Sequence, residues 1–212
     1  MPTSVSITAL LVIALSGSHC THVLLSQQSD RADKRFARPD IRKSDFANRY
    51  YTIPDRDSES VPTFGALNKL TGTVVKLKNG IYQVPSHVAD QDWVGITLYQ
   101  VSYGDVTGDN REEALVALRM QTAGTLSWGL LLIYGWDREQ LDLLQVFWTG
   151  DRANEGLHRA YAEGGRLAVE IYDPQGAEGD CCATRITKIR LRWAGGRFIE
   201  VDRQSSGLLS SR

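Results

Sequence analysis

The segment Asp105-Val-Thr-Gly-Asp109-Asn-Arg-Glu-Glu113 sets four carboxylates around one glycine and runs straight into the apolar stretch Ala-Leu-Val-Ala-Leu at 114–118. Acidic side chains at alternate positions of a tight turn suit two roles: oxygen ligands for Ca²⁺, or acceptors for the turn's own N–H groups. As a calcium loop, Asp105, Thr107 and Asp109 take the first, third and fifth positions. Arg111 then offers its carbonyl at the seventh, and Glu113 or Glu112 closes with a carboxylate. Thr107 brings a neutral oxygen, and Asn110 must adopt the left-handed conformation that glycine takes freely. The expected affinity is therefore weak, roughly 10⁻⁴ to 10⁻³ M. The alternative is a metal-free turn in which Asp105 and Asp109 cap backbone amides.

Cys181 and Cys182 are chain neighbours. Their Cα atoms lie about 3.8 Å apart across a trans peptide, below the roughly 4.4 to 6.8 Å of ordinary disulfides. A bond between them needs a turn, because strand neighbours point to opposite faces; the preceding Gly-Ala-Glu-Gly-Asp at 176–180 allows one. Three readings stay open: a structural vicinal disulfide that clamps the loop, two thiols, or an easily reduced redox pair. Zinc lacks support, since adjacent cysteines miss the usual ligand spacing and His87 and His158 stand alone in sequence. Gly150-Asp151-Arg152 reads as a structural corner, with Asp151 fixing a turn and Arg152 pairing with a carboxylate. There is no Gly-x-Ser-x-Gly elbow, no His-Glu-x-x-His helix and no phosphate-cradling glycine loop. A catalytic set assembled only by the fold is a competing class, as a secreted hydrolase or as an envelope thiol-redox protein using Cys181 and Cys182.

The compartment is read from the N-terminus. Residues 7–15 form a nine-residue apolar run followed by Ser16, Gly17 and Ser18. That is a secretory leader pattern, whereas a membrane span needs about 20 apolar residues. Cys20 offers a second outcome, a lipid anchor and hence a membrane tether. Losing or acylating Cys20 leaves an even cysteine count, which suits an oxidising compartment. The formal net charge of −1 gives no reason to expect nucleic acid. The arginines between 185 and 203 alternate with Ile, Leu, Trp and Phe, as on a solvated strand face.

The elements that must position these residues are strands. Leu167, Val169 and Ile171 alternate with Arg166, Ala168 and Glu170, a half-buried pattern of period two. Ile189, Leu191 and Trp193 form a second such set, and Leu144, Val146 and Trp148 a third. Residues 114–118 and 128–136 are near-continuous apolar runs, as expected of central strands covered on both faces. Lys78-Asn-Gly80, Glu163-Gly-Gly165 and Ala194-Gly-Gly196 are hairpin signals. The expected fold is all-β and mainly antiparallel, a single-domain meander of about eight or nine strands closing as a barrel or a sandwich. Short helices fit at 62–70 or 85–93. The chain divides into a leader over 1–18, a polar tether over 19–42, a β-rich domain over 43–203 and a disordered tail over 204–212.

Several segments in this order resemble a group of bacterial exported proteins and lipoproteins, more distantly of the LppP/LprE type. They are Asp45-Phe-Ala-Asn-Arg-Tyr-Tyr51, Val75-Lys-Leu-Lys-Asn-Gly-Ile-Tyr82, Tyr103-Gly-Asp-Val-Thr-Gly-Asp109 with Glu112-Glu-Ala114, Gly150-Asp-Arg152 and Asp180-Cys-Cys182. The resemblance implies export and a small β-rich domain with no assigned reaction. The expected role is non-enzymatic, binding an envelope or extracellular ligand or serving the envelope structurally. If the cysteine clamp is present, reduction raises the intact mass by two hydrogens, and peptide mapping of the unreduced protein recovers Cys181 and Cys182 in one cyclic fragment; an unchanged mass leaves the thiol reading.

Overall fold

A computed structural model describes residues 40–55, 72–83, 94–122, 127–137, 140–151, 153–175 and 183–208. The leader, most of the tether, both possible helices, Arg152, Cys20, Cys181 and Cys182 lie outside the described residues. Among those described, one turn of 3-10 helix (Ile41–Lys43) precedes eleven strands. They are β1 (Tyr50–Thr52), β2 (Val74–Lys76), β3 (Ile81–Gln83), β4 (Val94–Gly104), β5 (Glu113–Thr122) and β6 (Ser127–Asp137). β7 (Gln140–Asp151), β8 (Leu157–Ala162), β9 (Leu167–Tyr172), β10 (Arg185–Ala194) and β11 (Arg197–Leu208) complete the order.

The strands form three sheets and no barrel. β3-β4-β5-β6-β7 is a five-stranded meander, β8-β9-β10-β11 a four-stranded one, and β1-β2 a separate ribbon. The pairs are antiparallel throughout. The domain is therefore a layered all-β sandwich. Two hairpin signals do the expected work: Gly164 and Gly165 turn β8 into β9, and Gly195 and Gly196 turn β10 into β11, all four at positive φ.

The apolar runs at β5 and β6 sit in the middle layer. Ala114, Val116, Leu118, Leu130, Leu132 and Tyr134 pack with Tyr51, Ile53, Val75 and Leu77 of the ribbon and with Ile41 and Phe46. The residues between them in sequence, Leu115, Ala117, Leu131 and Ile133, face Val106 and the Leu157, Leu167, Val169 and Leu191 side chains of the four-stranded sheet. Alternation along a strand thus feeds two cores at once. β8 touches β4, β5, β6 and β7, so it runs across these strands rather than along one.

Three details differ from expectation. β9 is buried on both faces, because the side chain of Glu170 is covered by its pairing with Arg159 and the Tyr161 hydroxyl. β11 continues to Leu208, past the boundary placed at Arg203, since Ser205 and Ser206 pair with Thr187 and Ile186. Backbone pairing needs no apolar side chain, so the polar composition concealed this end. At the other end Ile41 is already in the core, 3% exposed, ahead of the start placed at residue 43.

The β7–β8 corner is close-packed. Gly150 N donates to Glu155 O at 2.9 Å, and Asp151 Oδ1 accepts the Ser127 amide at 3.0 Å, holding the start of β6. A Cβ on Gly150 meets the Asn154 carbonyl oxygen at 1.8 Å. Gly150→Ala is accordingly expected to cost about 2–4 kcal/mol in urea unfolding, with the corner forced apart; a loss below ~0.5 kcal/mol contradicts this packing.

Candidate functional site

Pairing of Gly104 with Glu113 closes the acidic loop between β4 and β5. Glu113 begins β5 on the same face as Leu115, so its side chain enters the core. Its Oε2 accepts the amides of Val106 at 2.9 Å and Thr107 at 3.2 Å, and Val106 is fully buried beside it. Asp105 spends both oxygens within the loop, on Gly108 N at 2.6 Å and Asn110 N at 3.0 Å. Asp109 accepts Arg111 N at 2.9 Å and pairs with its guanidinium, which donates to the Trp136 carbonyl. Asn110 takes the expected left-handed conformation at φ 62°. Glu112 is held by both Nε and Nη2 of Arg42 at 2.7 Å, and that guanidinium lies over the Tyr103 ring.

The three carboxylates among the residues expected around calcium are thus engaged by protein donors. Asp105, Asp109 and Glu113 face three different sets of N–H donors, and among the described residues no group of three or more His, Cys, Asp or Glu is placed to hold a metal ion. The loop closes on its own amides. Burial pushes the Glu113 carboxyl up to about 7, against the lowering effect of its two N–H donors and with Asp109 and Asp105 adding to the rise.

Near the cysteine segment, Asp173 N donates to Arg185 O at 3.0 Å and brings the ends of 174–184 together. Its Oδ1 accepts Gln175 N, and its Oδ2 accepts the hydroxyls of Ser205 at 2.9 Å and Thr187 at 3.3 Å. These donors hold the Asp173 carboxyl below the usual range, the Gln175 amide first. A carboxylate receiving two hydroxyls is a bracket; among the described residues no imidazole bonds to it.

The outer face of the four-stranded sheet is a row of pairs. Glu163 binds Lys188 at 2.5 Å and Arg190 at 2.7 Å, and Arg190 also binds Asp202. This is the solvated strand face anticipated for the arginine-rich stretch.

A cleft of about 290 Å³ opens between β7 and the inner face of β9–β11. Its walls are apolar: Phe147, Val169, Ile171, Ile189 and Leu191, with Thr149 among them. Glu155, Glu200 and Arg203 also line it. The register explains the charges. Leu191 pairs with Glu200 and Ile189 with Arg203, across an irregularity between Arg190 and Leu191. Paired residues share a face, so Glu200 looks inward with Leu191 by alternation from the buried Phe198, and the bulge brings Arg203 inward beside Ile189. Arg203 grips Glu200 through Nε at 2.9 Å and Nη2 at 2.8 Å. Sequence alternation does not reveal this, because the bulge shifts the parity of β11 by one.

A second gathering was also missed. Tyr99, Arg119, His158 and Tyr172 come from β4, β5, β8 and β9. The Arg119 guanidinium lies 4.1 Å from the Tyr99 ring centroid, and His158 Nδ1 lies 3.1 Å from the Tyr172 hydroxyl. The sequence signal is Arg119 itself, a cation that interrupts an otherwise apolar strand.

No family model matches the chain, and neither a curated protein nor a solved structure matches it significantly.

A carboxyl whose folded value lies near 7 against an ordinary 4.5 favours the folded state while protonated. Its contribution is complete below about pH 4.5 and is lost as pH rises to about 7, on the order of 3 kcal/mol in all. Glu113→Gln keeps an acceptor for Val106 N and Thr107 N and cannot ionise. The unfolding free energy of the wild type minus that of Glu113→Gln should fall between pH 4.5 and 7.5; a flat difference rules out the raised carboxyl.

Proposed function

We propose that this chain is an exported, non-enzymatic binding domain whose ligand enters the cleft between β7 and β9–β11. The observation that carries this reading is the apolar cleft itself, close to the lower end of the roughly 300–1,000 Å³ range of small-molecule sites. Its walls remove apolar surface from water, while Glu155, Glu200 and Arg203 give a ligand's polar end something to meet. The chemistry of the lining favours binding over turnover. Thr149 is its only hydroxyl side chain among the described residues, no histidine accompanies it, and the Glu200 carboxylate is committed to Arg203.

Export is supported by the leader pattern at 7–15, by the cysteine arithmetic and by the resemblance to exported proteins and lipoproteins. In that setting the acidic loop, with each carboxylate on a backbone amide or a guanidinium, is a support for the β4–β5 turn.

A series of straight-chain alcohols from butanol to octanol tests the cleft. Each added methylene should tighten binding about fourfold until the cleft is full, as read by titration calorimetry on the whole chain. Ile189→Phe, which narrows the cleft, should end the increments at a shorter alcohol. Absence of saturable binding, or the same series in Ile189→Phe, defeats the proposal.

A further inference from the structure

β5 is apolar from Ala114 to Leu118 and again at Met120, and Arg119 stands between them on the face that looks toward the four-stranded sheet. Directly beside it on β6 is Gly129, paired with Arg119 in register. A Cβ at Gly129 meets Thr149 Oγ1 at 2.2 Å and Leu157 Cβ at 3.2 Å, so the missing side chain is what lets β8 approach this closely. His158 follows Leu157 and is thereby delivered next to the Arg119 row. Thr97, the β4 partner of Arg119, shares its face, and Tyr99 follows at the irregularity between Leu98 and Gln100.

Four polar groups from two sheets meet here. The Tyr99 ring lies under the Arg119 guanidinium at 4.1 Å, and its hydroxyl donates to the His158 carbonyl at 3.3 Å. That stacking fixes the plane of the guanidinium and leaves its N–H edges open. His158 contacts the Tyr172 ring edge-on at 5.2 Å between centroids. The Arg119 charge also acts on the Tyr172 hydroxyl. Arg159, Arg190 and Arg203 each hold a carboxylate; Arg119 has none among the described residues. The carboxylate acting on His158 is Glu170, which is already bound by Arg159 Nε and Nη2 and by the Tyr161 hydroxyl.

We propose that Arg119, Tyr99, Tyr172 and His158 form a binding site for a small oxyanion, a phosphate, sulfate or carboxylate group carried by a ligand or free. Arg119 supplies the charge and a planar fork of donors. Tyr172 supplies a switchable donor: when His158 Nδ1 carries the proton it donates to the Tyr172 oxygen, and the phenol hydrogen is released toward the anion. Burial lowers the His158 value and so favours the neutral imidazole, in which either ring nitrogen can carry the proton. The site shares no residue with the apolar cleft, so it stands or falls separately.

The test is a titration of the full chain with inorganic phosphate, sulfate and acetate at constant ionic strength set by chloride, following arginine Nε–Hε resonances. One resonance, absent from Arg119→Gln, should move saturably. Phosphate or acetate affinity should drop about tenfold or more in Arg119→Gln and about threefold in Tyr172→Phe. The rank of phosphate, sulfate and acetate then says which oxyanion the site prefers. Equal affinity in Arg119→Gln, or no saturable movement with any of the three anions, overturns the proposal. Should Arg119→Gln fail to fold, Tyr172→Phe decides it: it keeps the ring and loses only the hydroxyl, and unchanged affinity there is equally fatal.

Discussion

Burial of β5 and β6 on both faces is the constraint from which the rest of the architecture follows. A strand with apolar side chains on each side of its pleat cannot border water, so the sheet that contains it must be covered twice. The β1–β2 ribbon, with Ile41 and Phe46, covers one face, and the four-stranded sheet covers the other. The two-stranded ribbon in particular would be marginal on its own and depends on the sheet it covers. The middle strands are thus the common floor on which two smaller pieces of structure are held.

Part of the charge around this floor is paired. The outer face of the four-stranded sheet carries Arg159–Glu170 and the Lys188–Glu163–Arg190–Asp202 row. Exposed pairs of this kind contribute little stability individually. The inward charges of β11 act differently. An edge strand that aims Glu200 and Arg203 over an apolar cleft discourages a second copy of the sheet from adding there, and the same two side chains give the cleft its polar end.

The fold was legible where one physical rule dominated. Uninterrupted apolar runs at 114–118 and 128–136 marked the central strands, and paired glycines marked two hairpins. It was less legible where a partner decided the outcome. Glu170 reads as a solvent-facing residue until Arg159 and Tyr161 cover it, and Ser205 and Ser206 read as a tail until β10 claims their backbone. The acidic loop shows the same limit at a candidate site. Its spacing fits an ion or, better, a self-capped turn, and which amides Glu113 meets becomes visible only in the fold. Counting back by two from Leu115 places that carboxylate on the core face, a clue contained in the pleat. The cleft and the Arg119 cluster each combine residues from several strands, with a bulge hiding the parity of one and a glycine permitting the other.

The seam between the two meanders is made of side chains. Gln100 donates Nε2 to the Ala160 carbonyl at 3.1 Å and accepts the Ala160 amide at 3.4 Å, while the Ser102 hydroxyl binds the same carbonyl at 2.8 Å. A glutamine amide here imitates the peptide group of an absent neighbouring strand. With no continuous ladder between the two meanders, side-chain bonds such as these, and those from Tyr99 to the His158 carbonyl and from the Phe198 amide to Gln145, join them together with the shared apolar core. Ala160 is buried and paired with Val169 in the β8–β9 ladder, so this one residue is tied both to its own sheet and to the facing one.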